Sequence, residues 1–212
     1  MRVNIITLGC SKNSVDSENI AGHLRKAGHQ VFFDRQQHDC DTIIINTCGF
    51  IGEAKEESVN TLLEQVEVKS RGRKARRIIA VGCLVERYRE ELRQELPEID
   101  AFYGVHEWDA LLASLLPNYA GPFEHERTLS TPSHYGYLKI SEGCNRHCSY
   151  CAIPLIRGKH VSRPIDDLGA EARQMTAQGV KEIILIAQDT TYYGLDLYGR
   201  RCLGDLMERL AN

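Results

Sequence analysis

Three cysteines, Cys144, Cys148 and Cys151, lie within eight residues of one another in the spacing C-x3-C-x2-C. Thiolates this close in sequence can meet at one metal centre, and iron–sulfur clusters are held by cysteine thiolates, usually four of them. Because the local run supplies only three, a four-iron cluster bound here would keep one iron without a protein ligand. Such an iron can bind a substrate or cofactor, so the spacing favours a catalytic site over a centre that only transfers electrons.

Two other readings of the same run stay open. A structural zinc ion takes four ligands, commonly as two separated pairs, and His147 would be strained as a fourth ligand between two of the cysteines. A disulfide is the second alternative, but the chain has eight cysteines and no secretory segment, which favours a reducing compartment where disulfides are rare. His147 is then expected to be a solvated loop residue.

Three further cysteines, Cys10, Cys48 and Cys83, each follow a short, β-branched, apolar segment that is typical of a buried strand. Helical patterns alternate with these segments, which predicts an α/β domain with a doubly wound parallel sheet. Ligands of such sheets bind beyond the carboxyl ends of the strands, so the fold would bring the three thiols to one edge. The strands are predicted at 3–8, 42–46 and 77–81.

This second three-thiolate set has its own alternative, because free cysteine is among the most buried residue types and three structural cysteines are an ordinary core feature. Their shared position at the strand ends favours a metal site instead. Cys40 and Cys202 do not have this placement, and both are read as structural or incidental.

The domain organisation follows from composition along the chain. Residues 1–117 carry the predicted α/β domain, and 118–134 are rich in proline with little periodicity, which predicts a linker. A new strand leads into the cysteine run, and the order of elements in 135–212 fits the first units of a (β/α) barrel. Only about two such units fit in this length, so the sequence predicts an incomplete barrel and a truncated chain.

The overall charge and hydropathy exclude several classes of protein. The formal net charge of −3 gives no general signal for nucleic-acid binding. The longest apolar runs, such as 183–187, fall far short of a membrane span, and the N-terminus has no signal peptide, so a cytoplasmic protein is expected. A basic stretch at 69–77 has six cationic residues and is read as a solvated turn, with a ribosome or nucleic-acid contact as the alternative.

The two cysteine sets together resemble those of the MiaB/RimO methylthiotransferase family of radical S-adenosylmethionine (SAM) enzymes. The resemblance implies two [4Fe–4S] clusters and SAM as cofactors, with a radical that functionalises an unactivated C–H bond. It implies that Tyr150 lies near the adenine of SAM, and it assigns no side chain as a catalytic acid or base. By position, Cys144, Cys148 and Cys151 would hold the SAM-binding cluster, and Cys10, Cys48 and Cys83 an auxiliary cluster.

Short sequence motifs distinguish the branches of this family. Gly9-Cys10-Ser11-Lys12-Asn13 and the run at 187–194 resemble the RimO branch, whereas the tRNA-modifying MiaB branch typically has Gln-Met in place of Ser11-Lys12. The resemblance therefore implies a transferase that adds a methylthio group to the β-carbon of an aspartate in a small-subunit ribosomal protein. Its expected partners are the ribosome or that protein, an electron donor and a sulfur source. A tRNA methylthiotransferase and a non-catalytic iron–sulfur fragment are the alternatives, and the incomplete barrel leaves the activity of the chain alone in doubt.

Overall fold

A computed structural model describes residues 1–34, 40–72, 77–121 and 127–211. The chain divides into two compact units, Met1–Thr128 and Leu129–Asn212. Part of the predicted linker, 122–126, and the centre of the basic stretch, 73–76, lie outside the described residues. Within the described ranges, no helix combines the length and the apolar composition that are needed to cross a bilayer.

The first unit is a five-stranded parallel sheet with the strand order β2-β1-β3-β4-β5. The predicted doubly wound architecture is therefore confirmed. The order reverses between β1 and β3, which makes the carboxyl ends of these two strands the switch point where such sheets bind ligands. The elements are β1 Arg2–Thr7, α1 Ser11–Lys26, β2 Gln30–Phe33, β3 Thr42–Thr47, α2 Gly52–Ser70, β4 Arg77–Gly82, α3 Cys83–Glu95, β5 Ala101–Tyr103 and α4 Trp108–Leu115.

Helices cover both faces of this sheet because its strands are apolar on both sides. All six residues of β3 are buried. Ile44 packs in the same cluster as Leu24 of α1 and Leu111 of α4. Ile43 and Ile45 belong to a second cluster, with side chains from α2 and α3. Successive residues of a strand point to opposite faces, so one apolar run supplies both layers of the core.

A buried ion pair holds Arg127, near the end of the first unit, against α1. The guanidinium of Arg127 donates to the carboxylate of Glu18 in α1, with Nε–Oε2 at 2.7 Å and Nη2–Oε2 at 2.5 Å. The exposed fractions of the two side chains are 4% and 0%. The amide of Thr128 donates to the backbone carbonyl of Glu18 at 3.0 Å. This end of the predicted linker thus packs against a helix, a contact that the proline-rich composition did not predict.

The second unit contains a two-stranded parallel sheet, β6 with β9, and a short antiparallel pair, β7 with β8. Leu138 and Ile140 are buried against α6 and α8, in a core that includes Tyr193 and Cys202. The order expected for the first barrel unit is observed: β6 and β9 pair in parallel, and α6 lies between them in the sequence. The elements are β6 Tyr135–Lys139, β7 Ser141–Glu142, α5 Ile153–Arg157, β8 Val161–Ser162, α6 Ile165–Ala177, β9 Glu182–Ile186, a 3-10 turn at Thr190–Tyr192, α7 Leu195–Tyr198 and α8 Leu203–Ala211.

Candidate functional site

The strand register of the first unit determines where its three cysteines lie. Thr47, the last residue of β3, pairs with Gly82, the last residue of β4, so Cys48 and Cys83 directly follow two adjacent strands. Cys10 lies three residues after the last residue of β1 and stands at the N-cap of α1. Cys48 and Cys83 are buried, whereas Cys10 is exposed. All three cysteines follow the carboxyl ends of neighbouring strands, two of which flank the switch point.

Two glycines allow the cysteine loops to approach one another. A Cβ on Gly9 would lie 2.6 Å from the Cβ of Cys48 and 2.8 Å from its Sγ. A Cβ on Gly49 would lie 2.7 Å from the carbonyl oxygen of Cys83. Real side chains do not tolerate such distances. The loop of Cys10 therefore packs against Cys48, and the loop of Cys48 packs against Cys83.

Asn13 joins the ends of two of these strands. Its Nδ2 donates to the backbone carbonyl of Leu8 at 2.8 Å and to that of Thr47 at 3.1 Å. The backbone carbonyl of Asn13 accepts from Asn46 Nδ2 at 2.9 Å. The helix α1 begins at Ser11, and its N-cap, Cys10, makes no side-chain capping bond. The side-chain amide of Asn13 hydrogen-bonds to backbone carbonyls at the ends of the strands, next to the cysteines.

Replacing Asn13 with alanine is expected to lower the free energy of unfolding by about 2–3 kcal/mol, since it leaves buried carbonyls unsatisfied. Urea denaturation measures this change. Asn60→Ala on the exposed surface of α2 is the matched control and should change stability by less than about 0.5 kcal/mol. Equal effects of the two substitutions would show that Asn13 does not hold the strand ends together.

The cysteine loop of the second unit rests on the backbone that follows α5. Gly143 has a φ of +74°, and a Cβ there would lie 2.1 Å from the carbonyl oxygen of Lys159. The amide of Cys144 donates to the carbonyl of Gly158 at 3.1 Å, and the amide of Cys151 donates to that of Cys148 at 3.0 Å. Cys144 is buried, Cys151 is half-buried and Cys148 is exposed. Only glycine fits at 143, so this position fixes the entry to the loop.

Arg146 connects the same loop to the carboxyl end of β9. Its amide donates to Cys144 Sγ at 3.4 Å, and its Nε donates to Asp189 Oδ2 at 2.8 Å. Its guanidinium also lies 5.3 Å from the centre of the Tyr192 ring. The pKa of Asp189 is lowered by hydrogen bonds from Thr191 and from Arg146. Arg146 lies between Cys144 and Cys148 in the sequence, and these contacts hold its guanidinium against the ionised carboxylate of Asp189.

Glu142 lies at the centre of a second polar group in this unit. Its carboxylate accepts from Lys139 at 2.8 Å, from Arg157 at 3.2 Å and from Gln188 Nε2 at 2.5 Å. Burial alone would raise the pKa of Glu142, but the charges of Lys139 and Arg157 outweigh burial and lower it to about 2. Sequence patterns did not reveal this group, because Glu142 and Gln188 are 46 residues apart and its members share no local spacing.

The predicted aromatic and histidine residues of the loop are both on the surface. Tyr150 is 88% exposed, and His147 is exposed as well. All eight cysteines are free thiols, so the disulfide alternative is not observed. As the side chains stand, no three Cys, His, Asp or Glu of the described residues are grouped closely enough to hold a single ion. A cubane cluster takes one thiolate at each iron, so its ligands need not converge on one ion.

Buried polar atoms beside the cysteine loops fit a bound polar group. In the described part of the second unit, Ser141 Oγ, His160 Nδ1 and Gln188 Oε1 are buried without a hydrogen-bond partner. In the described part of the first unit, the same holds for Asn46 Oδ1, which lies near Gly82. Buried polar groups are almost always satisfied in folded proteins. These atoms, with thiols as the neighbouring donors, are consistent with an iron–sulfur cluster and its polar ligand.

Comparison with known proteins places both units in described families. Residues 2–104 match the model described as "Uncharacterized protein family UPF0004", and residues 138–207 match the radical SAM superfamily. Proteins named "Ribosomal protein uS12 methylthiotransferase RimO" align with nearly the whole chain. The protein from Phocaeicola vulgatus is 51% identical over 99% of the chain, and that from Porphyromonas gingivalis is 52% identical over 100%.

Along nearly its whole length the chain resembles the MiaB/RimO methylthiotransferase family. It spans about half the length of the curated relatives that it matches, 48% in each of these two cases. The resemblance inferred from the two cysteine sets is thus confirmed.

Solved structures support the fold of this chain. Two structures of the radical SAM methyltransferase TsrM from Kitasatospora setae cover 98% of the chain at 12% identity. One was solved with tryptophan and a SAM analogue and has a TM-score of 0.60. The other was solved with cobalamin and a [4Fe–4S] cluster and has a TM-score of 0.61. At this identity the likeness concerns the α/β fold alone.

Proposed function

We propose that this chain carries the cluster-binding parts of a radical SAM methylthiotransferase that adds a methylthio group to the β-carbon of an aspartate in ribosomal protein uS12. The observation that carries the proposal is the near-complete alignment, at about half identity, with proteins named for that activity. The two cysteine sets, at the strand ends of one unit and in the loop of the other, supply the ligands that such chemistry needs.

The proposal assigns one [4Fe–4S] cluster to Cys144, Cys148 and Cys151. It assigns an auxiliary cluster to the three cysteines at the carboxyl ends of the strands in the first unit. When SAM is bound to a reduced cluster, it supplies the radical that breaks an unactivated C–H bond. The auxiliary cluster would supply or carry the sulfur, and an electron donor and a sulfur source would be required as partners. Tyr150 would approach the adenine of SAM from the loop surface. The auxiliary ligands are Cys10, Cys48 and Cys83.

The Glu142 group suggests how SAM would be oriented. Gln188 donates its Nε2 hydrogen to Glu142, so the opposite side of its amide, Oε1, is left as an acceptor that has no partner in the described residues. The low pKa of Glu142 keeps that carboxylate ionised and thereby fixes the amide orientation. An N–H donor such as the amino group of SAM would satisfy Oε1. Arg146 would hold the cysteine loop against the end of β9 through Asp189.

The two units have separate parts in this proposal, with residues 1–117 as the auxiliary-cluster domain and 135–212 as the start of the radical SAM domain. The names of the relatives favour uS12 over tRNA as the substrate. The basic stretch that motivates the tRNA alternative lies partly outside the described residues, at 73–76. We also propose that the reaction takes place in the cytoplasm, where the ribosomes are.

Mass spectrometry of uS12 from a strain that lacks the intact gene tests this function. The methylthio-aspartate should disappear on deletion, return with the intact gene, and stay absent when that gene carries Cys144→Ala, Cys148→Ala and Cys151→Ala together. Methylthio-aspartate that persists in the deletion strain would overturn the proposal. Loss of methylthioadenosine from tRNA in the same strain, with uS12 unchanged, would support the tRNA alternative instead.

A further inference from the structure

A groove of about 620 Å³ runs between α2 and α3 on the first unit. Part of its floor is a set of side chains at four-residue spacing on α3 and its C-cap, Leu96, and the helix is kinked at Tyr88 within this set. Val59 and Leu63 line the groove from α2. Three side chains of the first set are buried, and Tyr88 is half-buried. The set consists of Leu84, Tyr88, Leu92 and Leu96.

The rim of this groove is acidic. Glu56 on α2 and Glu91 and Glu95 on α3 line it and are exposed. None of these three carboxylates forms an ion pair with any residue in the ranges that the structure describes. The cation on the rim, Lys55, lies over the Tyr88 ring at 5.6 Å from its centre. An apolar floor between unpaired carboxylates is complementary to a surface that is apolar and positively charged.

One of the few exposed large apolar side chains of the first unit lines the groove. Among the described residues of that unit, four large apolar side chains are exposed, and Leu63, at 47%, is the one that lines the groove. Its exposure leaves apolar surface on the α2 side available to a partner.

We propose that this groove binds a cationic amphipathic helix of a protein partner. Such a helix places apolar residues at every third or fourth position into a groove, and here its lysine or arginine side chains would meet the three glutamates. Nucleic acid does not fit, because its phosphates would be repelled by the same carboxylates. Since α3 begins at Cys83, the bound segment would lie along the helix that carries one of the proposed auxiliary-cluster ligands. The proposal does not depend on the identity of the methylthiolated substrate.

Fluorescence anisotropy with a labelled leucine–lysine helical peptide of about 15 residues tests the proposal. The groove variant E56Q/E91Q/E95Q should bind the peptide at least about fivefold more weakly than wild type, through loss of exposed ion pairs. Leu63→Ser should weaken binding by about tenfold, through loss of apolar contact, without unfolding the chain. The matched control E53Q/E57Q/E64Q removes the same charge from the part of α2 outside the groove and should bind as wild type does.

Three results would overturn the proposal. The first is no binding of the leucine–lysine peptide to the wild-type chain, and the second is equal binding by the groove and control variants. The third is equally tight binding of a peptide in which every lysine is replaced by glutamate. Sedimentation of the wild type and Leu63→Ser adds a further check: concentration-dependent dimers that Leu63→Ser abolishes would identify a second copy of the chain as the occupant, contrary to the proposal.

Discussion

Replacing Glu18 with glutamine is expected to lower the free energy of unfolding by about 3–5 kcal/mol. The substitution keeps the shape of the side chain but removes the negative charge that contacts the guanidinium of Arg127, which is only 4% exposed. Removing one charge of a buried ion pair takes away compensation for the dehydration of the other charge. Urea denaturation, monitored by circular dichroism at neutral pH, measures the change.

A double variant separates the ion pair from simple packing. In Glu18→Leu with Arg127→Met, both charges are removed together, so most of the lost stability should return. The exposed pair Arg93–Glu90, with nitrogen and oxygen 3.0 Å apart, gives the comparison at the surface. Glu90→Gln should cost no more than about 1 kcal/mol. If Glu18→Gln cost as little as Glu90→Gln, the Arg127 contact would not hold residues 127–128 against α1.

Replacing Gly143 with alanine is expected to remove iron from the cysteine loop of the second unit and to destabilise that unit. The new Cβ would meet the carbonyl oxygens of Lys159 and Gly158 at 2.1 and 2.6 Å. These are backbone atoms, so neither can move aside as a flexible side chain would. The loop would have to leave its position beside β7, and the spacing among its three thiols would change. Iron content after anaerobic reconstitution should fall by about four per chain.

Gly199 is a matched control for this substitution. It has nearly the same φ, +69° against +74° at Gly143, but a Cβ there has no neighbour within 4 Å in the described structure. Gly199→Ala should therefore cost only the strain of a left-handed alanine, about 1–2 kcal/mol, and should leave the iron content unchanged. Equal iron in the Gly143→Ala variant and the wild type would show that the close approach at 143 is not needed for the cluster.

The sheet was predictable from sequence because its strands are short apolar runs that end at glycine or cysteine. Thr42–Thr47 has three consecutive isoleucines and is buried at all six positions, as expected for a strand covered on both faces. The placement of Cys10, Cys48 and Cys83 followed from topology alone, since parallel strands end at one edge. Short elements of the second unit were missed, because four or five residues such as those of α5 and α7 show no helical period.

The polar contacts of the site were beyond the reach of sequence patterns. Asn13 is close to Thr47 only after the sheet forms, and Arg157 meets Glu142 only after β7 and α5 pack. Both contacts join residues that are far apart in sequence, and neither has a characteristic spacing. Charged and amide side chains gain partners from tertiary structure, which a single sequence does not display.

The most direct test of the two-cluster account is the iron and sulfide content of the anaerobically reconstituted chain. Wild type should contain about eight irons and eight sulfides, and a variant with alanine at Cys144, Cys148 and Cys151 should keep about four of each. About four irons in the wild type, falling to none in that variant, would contradict the account. It would mean that Cys10, Cys48 and Cys83 hold no cluster and are buried or incidental thiols at a sheet edge.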